Sequence, residues 1–86
     1  MEKPGELQIF PNPATGHCTI AIPKENQFET YTLFIYNLMG VKMDEVVVPS
    51  GETQVELSLS GYAPGLYSVV TSCQGSVTGR GKFVVY

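Results

Sequence analysis

Tryptophan is absent from this 86-residue chain, histidine occurs once, and only five residues are basic. Against eight acids and a net charge of −3, those few cations form no stripe that could neutralise nucleic-acid phosphates or hold an anionic bilayer. Long apolar runs are lacking too, so no segment reads as a membrane-spanning helix and direct membrane insertion is not expected. One histidine and two distant cysteines, Cys18 and Cys73, fall short of the four ligands of a structural zinc site. His17 adjoins Cys18, but neighbouring strand residues point to opposite faces and no third group is at hand to orient an imidazole. Glu25 with Glu29, and Asp44 with Glu45, have no evident apolar pocket to raise a carboxyl pKa for acid catalysis, and read as solvated charges. No catalytic residue, metal or cofactor is therefore expected. No cationic start followed by an apolar run is present, which says little about compartment, because a piece of a longer secreted chain would show none either.

What the chain does hold is apolar residues at 43% with nine glycines and six prolines, too apolar for disorder and too interrupted for anything but short elements. A chain of this length buries roughly 60–65% of its extended surface on folding, enough for one domain with one thin core. The apolar spacing has a period of two. Leu7 and Ile9 are in phase in a first strand that stops at Pro11-Asn12-Pro13, where two backbone donors are lost. Cys18, Ile20 and Ile22 alternate with Thr19 and Ala21 in a second strand, closed by Pro23 and a polar loop from Lys24 to Glu29. Tyr31 to Asn37 is apolar on both faces and reads as the central strand. Leu38-Met39-Gly40 reverses the chain, with Gly40 as the positive-φ residue, into a strand from Val41 to Val48. Pro49 to Glu52 turns into a strand with Val55, Leu57 and Leu59 inward. Gly65 to Cys73 and Ser76 to Val85, joined at Gln74-Gly75, form a final hairpin.

Helical spacing with a capped start appears nowhere, so the expected fold is all-β: an antiparallel immunoglobulin-like β-sandwich of about seven strands. If strand direction alternates, Cys18 opens one strand and Cys73 closes another on the facing sheet, roughly 16 Å apart at about 3.3 Å per residue, which argues against a disulfide. Five tyrosines keep a second reading open, a carbohydrate-binding or adhesin-type accessory module. Tyr31, Tyr67 and Tyr36 are explained by core packing, and Tyr62 is the candidate exposed ring.

Five blocks then fall in an order that resembles one family. Pro11-Asn12-Pro13-Ala14-Thr15-Gly16 follows the first strand; Leu33 to Asn37 with Gly40, Val55 to Ser60, Ala63-Pro64-Gly65-Leu66-Tyr67 and Lys82-Phe83-Val84-Val85 come after it. Together they are similar to the type A C-terminal sorting domains of the type IX secretion system of Bacteroidetes. Two departures are that no basic residue trails the last strand at Tyr86, and that Cys18 and Cys73 are untypical.

The resemblance implies a sorting domain over 7–86, with residues 1–6 a linker or an added start. It implies a non-catalytic signal that directs a cargo fused ahead of it through the outer-membrane translocon, from the periplasm to the outer-membrane surface or beyond. A sortase-like cysteine peptidase would remove the domain near Lys3 to Glu6 and attach the cargo to the cell surface. The signature residues Pro11, Asn12, Pro13, Gly16, Asn37, Gly40, Pro64, Gly65 and Tyr67 read as mainly structural. The terminal strand, taken as a sheet edge open to strand addition, makes Lys82, Phe83, Val84, Val85 and Tyr86 the candidate contact with the machinery, and leaves room for weak dimerisation through an edge.

Overall fold

A computed structural model describes residues 5–23 and 28–86. Of the expected linker, Met1 to Pro4 lie outside the described residues, as do positions 24–27 of the polar loop. Among the described residues every regular element is a strand: β1 (Gly5–Glu6), β2 (Gln8–Thr15), β3 (His17–Ala21), β4 (Tyr31–Tyr36), β5 (Lys42–Val48), β6 (Gln54–Ser58), β7 (Gly65–Cys73) and β8 (Ser76–Val85). They are hydrogen-bonded in the order β5-β4-β7-β8-β2-β3-β6, with β1 also on β8. The all-β sandwich is as expected. Its larger sheet is β5-β4-β7-β8, its smaller one β2-β3-β6, and β2 belongs to both.

The alternating pattern fixes which residues face inward. Tyr31, Leu33 and Ile35 of β4, Tyr67, Val69 and Thr71 of β7, and Phe83 and Val85 of β8 are buried against Cys18 and Ile20 of β3 and Leu57 of β6. Tyr67 packs its ring against Phe83 at 5.5 Å between centroids, and Tyr62 leans on Tyr67 at 5.0 Å. Among the described residues Thr71 is the one buried polar residue of the core; it meets the Thr78 hydroxyl at 3.0 Å, and no buried side-chain polar atom described is left without a partner.

Among the described residues there are eight strands, in keeping with the expected number of about seven, the short Gly5–Glu6 pairing with Gly79 and Arg80 of β8. Three expectations need correction. Two pairings are parallel, β1 with β8 and Ala14 of β2 with Val85, because the first and last segments run side by side in the same direction. Pro11 and Pro13 do not end the first strand: β2 runs through both, each preceded by a cis peptide, and passes from one sheet to the other. It pairs with β3 at Gln8, Ile9 and Phe10 and reaches β8 at Ala14. Finally, β8 is not an edge, being flanked by β7 on one side and by β1 and β2 on the other. The edges are β5 and β6. On β5 the Asp44 carboxylate accepts from the Glu45 N–H at 3.2 Å, and charges of this kind blunt an edge against unwanted pairing.

No disulfide joins Cys18 and Cys73, as the strand geometry led us to expect. Cys18 lies wholly inside β3, where burial pushes its thiol pKa up from 9.0, and Cys73 donates to the Glu29 carboxylate at 2.8 Å. His17 is exposed on β3, back to back with Cys18, so the two share no site. Among the described residues no three His, Cys, Asp or Glu side chains are grouped to hold a metal.

Candidate functional site

Signature residues dominate the joints of the fold, and most of them act by holding backbone. Asn12 is exposed between the two prolines, yet its amide spans to the last strand: Oδ1 accepts from the Val84 N–H at 3.0 Å and Nδ2 donates to the Lys82 carbonyl at 3.4 Å. The side chain thus stands in for strand pairing where β2 has left β8, between the Leu7 N–H bond to the Arg80 carbonyl and the Tyr86 N–H bond to the Ala14 carbonyl. Leu7 sits tightly here. A Cβ on Gly79 would lie 2.7 Å from Thr71 Oγ1 and 2.9 Å from a Leu7 methyl, so only glycine lets the first segment cross β8 at this height.

Asn37 closes the β4–β5 hairpin in the same manner. Its Oδ1 accepts from the Met39 and Val41 N–H groups at 2.9 and 3.0 Å, while Gly40, at φ +82°, donates to the Asn37 carbonyl. Gly40 is therefore the positive-φ residue that the reversal called for. Gly16 turns β2 into β3 and offers its carbonyl to the Leu59 N–H. At the corner Ala63-Pro64-Gly65 the Tyr67 hydroxyl donates back to the Ala63 carbonyl at 2.6 Å, a tyrosine pinning the turn that precedes its own strand.

The brackets at Asn12 and Tyr67 support one long hairpin, β7 with β8, whose far strand carries the block Lys82 to Tyr86. A profile for secretion system C-terminal sorting domains matches residues 8–86 of this sequence, nearly its whole length. The chain belongs to that family. No curated protein matches it. As a type IX sorting domain it is a signal, and such a signal takes what it is attached to across the envelope to the outer-membrane surface or the extracellular space.

The sorting domain's terminal block divides by face. Phe83 and Val85 point inward and are buried; Lys82 and Val84 lie on the outer face, and Tyr86 is 75% exposed. Backbone groups of this strand face β7 on one side and β1, β2 and the Asn12 amide on the other, so it offers no free ladder for strand addition. Tyr62, expected to be an exposed loop ring, is instead half-buried: its ring abuts Tyr67 and its hydroxyl donates to Asp44 at 3.3 Å. Burial, and then the neighbouring carboxylate, push its phenol pKa well above 10. Tyr36, assigned to the core from the sequence, stacks beside Phe34 on the outer face of the larger sheet.

Proposed function

We propose that the domain works as a folded, non-catalytic address, read by the type IX outer-membrane translocon through the outer side chains of its last strand. The match to the sorting family over residues 8–86 is the observation that carries this reading. On it, a cargo joined ahead of Gly5 passes through the periplasm and is delivered by this domain. A sortase-like peptidase then cuts in the segment preceding β1 and attaches the cargo at the surface. The division of the terminal block supports contact through Lys82, Val84 and Tyr86, with Phe83 and Val85 serving the core that presents them. Association of two copies through a sheet edge would fall to β5 or β6.

The test is a soluble reporter with a periplasmic export signal, fused ahead of Gly5 and expressed in a type IX-competent bacterium. The intact domain is expected to bring it to the surface, and Lys82→Glu combined with Tyr86→Ala to leave it in the periplasm with an unchanged melting curve. Surface delivery without the domain rejects the sorting role. Equal delivery by the double variant rejects the terminal-strand contact alone.

A further inference from the structure

Where β2 swings away from β8 to join the smaller sheet, the seam between the two strands opens into a groove of about 1030 Å³. One wall is the outward side of β2 and the segment before it, with Glu6, Gln8 and the ring of Phe10, which is 46% exposed. The other is β8, with Arg80 and Lys82. Both cations are forced to this side: their neighbours Gly79 and Gly81 face Thr71 and Val69 on the inner face, so the alternation turns Arg80 and Lys82 outward. Neither makes an ion pair among the described residues, where the single salt bridge is Lys42 with Glu45. A protein of net charge −3 thus gathers two of its five cations in one groove.

The chemistry of the lining selects among anions. Arg80 and Lys82 stand two residues apart on one strand face, about 7 Å along the backbone, a spacing suited to charges on separate units of a polymer. The Phe10 ring offers an apolar face for a pyranose ring, and Gln8 and Glu6 offer groups that bond hydroxyls. A run of peptide carboxylates brings no ring face to lie on Phe10 and no hydroxyls for Gln8 and Glu6. The Asn12 amide is engaged with β8 and holds the groove's end in place. We propose that this seam groove binds an acidic oligosaccharide, with Arg80 and Lys82 taking its carboxylates and Phe10 stacking on a sugar ring. The proposal stands apart from the sorting role, which the reporter assay tests without reference to sugars.

Trigalacturonate is the probe, titrated into the 86-residue protein by calorimetry and by amide NMR, with neutral galactotriose and hexaglutamate as comparison ligands. Saturable binding of trigalacturonate is expected, with shifts centred on Gln8, Gly81 and Lys82 and weakening as ionic strength rises from about 0.05 to 0.3 M. Arg80→Gln, Lys82→Gln and Phe10→Ala, all exposed positions, are each expected to weaken it about fivefold while leaving the spectrum folded. No saturable binding, galactotriose bound as tightly, or affinity indifferent to both cation variants would overturn the proposal. Hexaglutamate bound as well as trigalacturonate would overturn it too, in favour of an acidic peptide. The salt series and the comparison sugars use the unaltered protein, so the outcome does not depend on any variant folding.

Discussion

Replacing Asn12 by alanine removes both bonds that its side chain makes to the last strand. The bond from the Val84 N–H, at 3.0 Å, has ordinary length, whereas the one to the Lys82 carbonyl, at 3.4 Å, is long and weak. Because the site is exposed, water takes over both backbone groups after the change. The loss is then the modest net value of two intramolecular bonds, about 1–2 kcal/mol in all, rather than the penalty of a buried orphan. At roughly 4–8 °C per kcal/mol for a domain of this size, the melting temperature should fall by about 5–15 °C. Circular dichroism melts and urea titrations measure this, and amide exchange gives the local signature: the Val84 N–H should lose protection beyond the global change. Asn12→Asp sharpens the test, since it keeps the acceptor for Val84 but turns a carboxylate oxygen toward the Lys82 carbonyl. That arrangement disfavours the anion and raises the introduced carboxyl's folded-state pKa above its unfolded value. The variant should be most stable below the unfolded carboxyl pKa and lose that stability as pH rises through the folded one. A loss below about 0.3 kcal/mol for Asn12→Ala, with Val84 exchange unchanged, would refute the bracket argument.

Further outcomes follow from the same geometry. Phe83→Ala empties a fully buried site against the Tyr67 ring and should cost about 3–5 kcal/mol, a large part of the roughly 4–13 kcal/mol expected for 86 residues, so denaturant melts should show it barely folded. Gly79→Ala drives a methyl into Thr71 and Leu7 and should cost about 1–3 kcal/mol by the same melts, whereas an addition at the exposed Ser76 should be neutral. With the Tyr62 phenol held above its ordinary 10, its contribution is complete below pH 10 and is lost as pH climbs through the raised value; ultraviolet phenolate titration of Tyr62→Phe against the parent should show one late-titrating tyrosine fewer. Cys18, buried and raised above 9.0, should resist thiol reagents in the native protein and react in denaturant, and rapid native labelling would contradict its place in the core.

Period-two patterning and turn chemistry made the strands legible from residues alone. The inward sets Leu33 with Ile35, Tyr67 with Val69, and Cys18 with Ile20 are local consequences of alternation, and the reversal at Gly40 follows from the conformational freedom of glycine. The family was legible as well, because its blocks combine alternating strand segments with turn and corner residues, both of which local geometry dictates. The role of Asn12 was not. A bond that joins positions 70 and 72 residues apart leaves no trace in a one-dimensional pattern, and two prolines read locally as a stop where the chain in fact continues.

The same limit explains the misplaced edge and the misread ring. Whether β8 is an edge depends on which strand lies beside it, and that was decided by Gly5 to Ala14 running parallel to it, with Gly79 leaving room for Leu7. Tyr62 has a loop residue's sequence context, yet it is half-covered because Asp44 and Tyr67, distant in the chain, meet it from two sides. The sequence by itself determined strand positions, inward faces and family, since those arise from period, propensity and turn residues acting over a few positions. Only the tertiary structure decided which strand is flanked, which side chains of the terminal block are outward, and where Arg80, Lys82 and Phe10 converge, because each depends on neighbours that the chain brings together only when it folds.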